Sequence, residues 1–339
     1  MNVISFPGLG IGEFKLDPVA FTVFGKDVMW YGVIITFGII CAFSLANWRA
    51  RHEKVDGDTF FDLAFMTVLL SILGARLYFV FFYGGFVEKG GTFFENLWGT
   101  LYNIIAIWEG GLAIYGAIIV GAITITVFGK VRRVNIVKLL DATAPGVLLG
   151  QAIGRWGNFT NAEAHGGETD IFCRMGISYG GVGEMHYYHP TFLYESLWNI
   201  AGVILLTALY KKKKFNGQIV AGYFCWYGFG RMFIEGLRTD SLYIGSTGIR
   251  VSQLLAFLLF LVSGVLLLVG GKIAKKIPAM DINAPSGCEE KHAREAVLLK
   301  EKAEARAKKL GEFKDYVKNI GKKKKIIKGK SEDKDDEID

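Results

Sequence analysis

The strongest constraint on this chain is a recurrence of apolar stretches, each near the ~20 residues a helix needs to cross a bilayer core. A hydropathy window of about 19 residues finds seven of them, over 28–48, 60–83, 111–128, 137–153, 191–210, 218–236 and 249–269. The fourth is the weakest, because Asp141 and Pro145 interrupt it. Hydrophobic residues make up 51% of the chain and the mean hydropathy is +0.32, outside the range of ordinary soluble domains. Lipid offers no hydrogen bonds to exposed backbone, so spans of this length are helices. The expected fold is an all-α membrane protein, a bundle of about seven transmembrane helices.

Basic residues set the expected orientation. RARHEK (49–54), GKVRRVNIVK (129–138), KKKK (211–214) and KIAKK (272–276) follow the first, third, fifth and seventh spans, while the intervening loops carry few lysines or arginines. The positive-inside rule places the N-terminus outside and the C-terminus in the cytoplasm. Three regions result: an extracytoplasmic N-terminal arm (1–27), a seven-helix transmembrane domain that would hold any active site (28–270), and a charged cytoplasmic tail (271–339), partly helical or disordered. The formal charge of +7 is then a topology signal, and nucleic acid is not an expected partner. The four cysteines, Cys41, Cys173, Cys225 and Cys288, form no ligand-spaced pairs, so neither a disulfide framework nor a zinc site is expected. The start lacks the features of a cleaved signal peptide. No internal repeat of the transporter kind is visible.

In the tail, Leu299, Ala303, Leu310, Phe313, Val317 and Ile320 recur at helical spacing ahead of GKKKKIIKGK (321–330). An amphipathic helix on the inner leaflet and a solvated tail both fit that pattern.

A charge at membrane depth costs at least about 2.5–3.5 kcal/mol on insertion scales, so each one needs a reason. Arg76 lies in LGARLYF and Arg155 in GQAIGRWGNFTNAE; GRMFIEGLR carries Arg231, Glu235 and Arg238. Those three stand at i, i+4 and i+7 and share a helical face. Singly, each has a structural explanation as an inter-helix ion pair or a snorkelling interface residue. Together, arginines, glutamates and asparagines at one leaflet point to an anion site in the outer half of the bilayer. Guanidinium forks match phosphate oxygens and stay charged, which makes a phospholipid headgroup the natural ligand.

GRWGNFTNAEAHGG resembles the signature of the bacterial prolipoprotein diacylglyceryl transferases, Gly-Arg-x-Gly-Asn-Phe-x-Asn-x-Glu ending in a glycine, matched here by Gly154, Arg155, Gly157, Asn158, Phe159, Asn161, Glu163 and Gly166. WYG (30–32), GARLYFV, GGLAIYG, HPTFLYES (189–196) and RMFIEGLR follow in the family's order. The resemblance covers roughly 28–269 and leaves the tail unaccounted for. It implies a multi-pass enzyme of the bacterial inner membrane, active toward the extracytoplasmic leaflet. Such an enzyme moves the diacylglyceryl group of phosphatidylglycerol to the lipobox cysteine thiol in a preprolipoprotein signal peptide and releases glycerol phosphate. No cofactor or metal is implied.

By the same resemblance Arg155 binds phosphatidylglycerol, Arg231 is a second essential arginine with Glu235 as its partner, and Tyr31, Asn158, Glu163 and Gly166 match other required positions. Arg76 and Arg238 are further candidates for headgroup binding. Many relatives have His-Gly-Gly where this chain has Tyr115-Gly116-Ala117, and a phenol with a reference pKa near 10 is a poor base at neutral pH. The base is therefore open among Glu163, Tyr115 and His165. The competing class is a transporter or channel for an anionic solute, with the arginines lining its path.

Overall fold

The computed structural model describes residues 1–82, 93–106, 111–181, 183–239, 243, 248–288 and, apart from 299, 303 and 305, residues 297–312. Tail positions Leu299, Ala303, Phe313, Val317, Ile320 and 321–330 lie outside the described residues, as does much of the loops over 84–110 and 237–248.

The helices α1 (Trp30–His52), α2 (Gly57–Phe82), α4 (Ile114–Arg132), α5 (Ile136–Thr160), α6 (Thr191–Tyr210), α7 (Gln218–Leu237) and α8 (Val251–Ala274) occupy all seven expected spans. Six described helices are long and apolar enough to cross a membrane; α7 falls short of that apolarity, since Arg231 and Glu235 interrupt it. A shorter helix, α3 (Phe93–Ile105), stands in a segment expected to be loop.

The arm holds four strands that hydropathy did not announce. β1 (Asn2–Phe6) pairs antiparallel with β2 (Ile11–Leu16) and with β5 (Met175–Ser178), which pairs in turn with β6 (His186–Tyr188). β3 (Val19–Val23) and β4 (Lys26–Met29) form a separate hairpin leading into α1. Ile4, Phe6, Met175 and Ile177 form a small core with Ala162 and Phe192. Burial of these side chains ties the sheet to the end of α5 and the start of α6, where the polar cluster lies.

Within the bundle, α1 meets α5 along a seam of small residues. A Cβ on Gly146 would come within 2.5 Å of the Ala42 carbonyl, so glycine is what permits this approach. Helices α6 and α7 are joined by stacked indoles: Trp198 and Trp226 have centroids 4.1 Å apart, and each Nε1–H donates to the other's carbonyl at 3.0 and 2.9 Å.

Asp141, unexpected inside an apolar span, is fully buried and caps α7. It accepts from the N–H groups of Gly217, Ile219 and Val220 at 2.7, 3.0 and 2.9 Å and pairs with Lys213 at 3.0 Å. Lys213 also meets Glu53 at 2.5 Å. The chain beyond α8 then crosses the same end of the bundle. Asn216 N–H donates to Met280 and Asn135 N–H to Ser286, both at 2.9 Å, and Ser286 Oγ donates to the Lys54 carbonyl at 2.7 Å. Two compact units result, Met1–Gly287 and Cys288–Asp339.

Candidate functional site

Arg155 comes five residues before the end of α5, Glu195 four after the start of α6 and Arg231 six before the end of α7. At 1.5 Å per residue these side chains leave their helices roughly 6–9 Å in from the same end of the bundle. Glu195 organises them. Its Oε2 lies 2.7 Å from Arg155 Nη2 and its Oε1 2.6 Å from Arg231 Nη1, with Arg238 Nη1 at 3.7 Å. Arg231 Nη2 reaches Glu235 Oε2 at 2.5 Å, the i,i+4 pair visible in the sequence. Three guanidinium groups thus face two carboxylates. The glutamates are almost fully buried, with side chains 5% and 3% exposed, while Arg155 keeps 21%. Arg250 donates to the backbone carbonyl of Glu235, anchoring the start of α8 to the same cluster.

A second arm runs through the loop after α5. Arg155 Nη1 donates to Asn158 Oδ1 at 3.3 Å, and Asn158 Nδ2 donates to Glu163 Oε1 at 2.9 Å. Glu163 is exposed, and its neighbours Ala162 and Ala164 both hold left-handed backbone, φ 52° and 55°. Non-glycine residues adopt that conformation only when the surroundings enforce it. Here Thr191 Oγ1 holds the Ala164 carbonyl, and Gly167 N–H donates to the Leu237 carbonyl at 3.0 Å. Gly166 pairs backbone to backbone with Arg238, and a Cβ there would come within 2.6 Å of the His189 Cβ and 2.9 Å of the Leu237 oxygen. That glycine is a close-approach residue: it lets the loop carrying Glu163 dock on the end of α7.

His165 follows in this loop. Its Nε2 lies 2.7 Å from the Tyr179 hydroxyl, and its Nδ1 is 2.9 Å from the Gly166 carbonyl. Burial, and then the neighbouring Tyr188, push the Tyr179 pKa above the usual phenol value, and its hydroxyl donates to the Ala162 carbonyl at 3.4 Å.

The cluster opens onto a groove between α1 and α5 of about 350 Å³. Tyr31, Arg155 and Asn158 form its polar end; Ile35, Ile39, Ala42 and Val147 line most of the remainder, together with Gln151. A neighbouring hollow of about 300 Å³ shares Ile39, Ala42 and Val147 and continues between α1 and α2. A charged head with a long apolar tail fits this shape. Among the described residues no group of three or more His, Cys, Asp or Glu is placed to hold a metal ion.

The prolipoprotein diacylglyceryl transferase family matches residues 18–269 of this sequence. The chain belongs to that family. Among its relatives, the phosphatidylglycerol–prolipoprotein diacylglyceryl transferase of Listeria monocytogenes serotype 4a is 41% identical over 261 residues, 75% of this chain and 90% of that protein. The protein of the same name from Finegoldia magna is 43% identical over 267 residues, 78% of this chain and 99% of its own length. That of Clostridium kluyveri is 40% identical over 251 residues, with 72% and 92% covered. All the side chains of the arginine–glutamate cluster and of the groove fall inside the family match.

Within this transferase the residues anticipated from sequence fall into two groups. Arg155, Asn158, Glu163, Gly166, Arg231, Glu235 and Arg238 are joined by the contacts just given, and Tyr31 lines the same groove. Arg76 and Tyr115 belong to the packing of α2, α3 and α4. Buried Arg76 donates from Nε to the Asn103 carbonyl at 2.6 Å and from Nη1 to the Gly111 carbonyl at 3.3 Å, and the Tyr115 ring lies 6.3 Å from that of Tyr78. Sequence reasoning missed Glu195 as the hub. The signal was available: Thr191, Glu195, Ser196 and Asn199 are all buried and recur at helical spacing along one face of α6.

Proposed function

We propose that this multi-pass membrane protein transfers the diacylglyceryl group of phosphatidylglycerol to a cysteine thiol of a prolipoprotein, in the lipobox of its signal peptide, forming a thioether and releasing glycerol phosphate. Membership of the transferase family supports the reaction. One feature of the molecule carries the reading: Arg155, at the polar end of the groove, shares one buried carboxylate, Glu195, with Arg231.

The acyl chains lie along Ile35, Ile39 and Val147, and the phosphodiester reaches the guanidinium forks. Among the described residues Arg155 engages Asn158 and Glu195, which leaves donor capacity on a fork with five N–H groups. Sulfur attacks the glycerol carbon bearing the phosphate. The carbon–sulfur bond forms as the carbon–oxygen bond breaks, and the departing phosphodiester becomes a monoester with one more negative charge. Preorganised guanidinium groups stabilise that charge where water would have to reorient. The nucleophile is the thiolate, so its proton must first pass to a base. Glu163, Tyr115 and His165 are the candidates; exposed Glu163 and loop-borne His165 are the two in the loop that docks on the cluster.

We place the basic loops in the cytoplasm and the arginine cluster toward the outer leaflet of the bacterial inner membrane, as their lysines and arginines favour. Transport of an anionic solute gains no support from the family membership. The decisive experiment incubates purified protein with labelled phosphatidylglycerol and a lipobox peptide. Label is expected on the cysteine peptide and absent from its serine counterpart; equal labelling of both, or of neither, refutes thioether transfer.

A further inference from the structure

A two-stranded hairpin on its own is marginal in water, and β3 with β4 is such a hairpin, without a third strand in its sheet among the described residues. Its register sets Phe21 opposite Val28, Thr22 opposite Asp27 and Val23 opposite Lys26. Strand alternation therefore puts Phe21, Val23 and Val28 on one face, with Lys26 opposite Val23 at its turn end, and Thr22 with Asp27 on the other. The polar face is closed on itself, since Thr22 Oγ1 donates to Asp27 Oδ1 at 2.7 Å. The apolar face is open, with Phe21 53% and Val23 42% exposed.

The turn is unusual in the same sense. Phe24 and Gly25 both hold left-handed backbone, φ 47° and 76°, as a two-residue hairpin turn requires. In water the first of these positions selects Asn, Asp or Gly, and a bulky side chain there is strained. Here it is a phenylalanine whose side chain is fully exposed. The hairpin is also continuous with a membrane-facing surface. Trp30 N–H donates to the Pro18 carbonyl at 2.9 Å, pinning the base of the hairpin to the first residue of α1, and exposed Met29 and Trp30 lead on to exposed Phe37 and Ile40 along that spanning helix.

We propose that the β3–β4 hairpin is an interfacial anchor whose partner is the lipid surface itself. Phe21, Val23 and Phe24 sink into the boundary between headgroups and acyl chains in the leaflet where α1 begins. Lys26 extends its ammonium toward lipid phosphates, and the Thr22–Asp27 pair faces water. Because the hairpin is fixed to Trp30, and Tyr31 lines the groove, the anchor sets the depth of the groove mouth against the phosphate plane. This inference needs only the membrane location, so its failure leaves the proposed reaction standing.

The full chain, with its four cysteines changed to serine and one new cysteine from F24C or D27C, is labelled with bimane and reconstituted in phosphatidylglycerol–phosphatidylcholine vesicles. With bromines on the acyl chains, the label at 24 should lose at least about half its fluorescence and be shielded from aqueous iodide, while the label at 27 should respond to iodide. A label at 24 quenched by iodide and indifferent to bromolipid overturns the proposal. A second test needs no label. In water F24N would raise the thermal midpoint, because asparagine tolerates this backbone. In vesicles it should instead lower it, and an unchanged or raised midpoint overturns the anchor.

Discussion

Replacing Glu195 by glutamine isolates the electrostatic role of the hub, since volume and one acceptor are retained while the charge is lost. The carboxylate is 5% exposed and bonded at 2.6–2.7 Å to Arg231 and Arg155. Removing one partner of a buried ion pair costs roughly 3–5 kcal/mol, because the other charge is left uncompensated. Arg231 retains Glu235, and the amide oxygen still accepts, so the lower end applies, about 3 kcal/mol. For a chain of 339 residues, with an unfolding entropy of about 2.1 cal/mol/K per residue, that lowers the thermal midpoint by roughly 4–5 °C. The amide N–H₂ also turns two donors toward guanidinium donors and displaces the forks, and a misplacement of about 1 Å costs about 10²-fold in rate. The assay is initial-rate transfer from labelled phosphatidylglycerol to a lipobox peptide, beside a thermal midpoint from the same preparation. A cycle with R231M supplies an internal check, since adjacent charges should couple by about 1–3 kcal/mol. Wild-type rate and midpoint in E195Q, with additive effects in the cycle, would refute the assignment of Glu195 as the hub.

R155A and R231A should each abolish transfer while the protein still inserts at normal levels, and R155K should restore little, since an ammonium lacks the planar fork; membrane fractionation with the transfer assay reads both. Y115F should keep transfer within about threefold of wild type, in keeping with a hydroxyl that is a poor base; a loss of 10²-fold or more would assign that hydroxyl to the chemistry. The raised Tyr179 pKa has a definite sign: it contributes stability that is complete below the unfolded phenol value near pH 10 and lost as pH climbs through the higher folded value. Heat stability of the wild type should therefore fall more steeply than that of Y179F above pH 10. Truncation after Gly287 should leave transfer intact, whereas truncation after Met280 removes the Ser286 contacts to Asn135 and Lys54 and should lower the thermal midpoint by several degrees.

The membrane architecture was legible because its signal is additive: twenty apolar residues in a row leave a strand or loop no way to satisfy its backbone in lipid. The Arg231–Glu235 pair was legible because i,i+4 spacing is local. The polar face of α6 marks Glu195 as a candidate but not as the hub, since its partners lie 40 and 36 positions away and nothing within α6 shows which charges it will meet. The N-terminal strands were missed for a similar reason. β1 takes one of its neighbours from β5, more than 160 residues further on, and short exposed strands leave little periodicity to read. Asp141 looked like a flaw in a span because its purpose, capping a helix that starts 77 residues later, is a tertiary fact. Arg76, buried in α2, donates to the carbonyls of Asn103 and Gly111, and neither contact is legible from the sequence of α2 alone.

The grip of Arg155 and Arg231 on lipid phosphate is tested most directly by carbon–phosphorus dipolar recoupling in membranes, with ¹³C in the arginine guanidinium carbons and phosphatidylglycerol as the phosphorus source. Contacts of 2.7–2.9 Å between guanidinium nitrogen and phosphate oxygen put carbon and phosphorus about 4–5 Å apart, so strong dephasing is expected, and it should disappear in a variant carrying both R155K and R231K. Dephasing that persists in that variant, or is absent from the wild type, contradicts the phosphate grip.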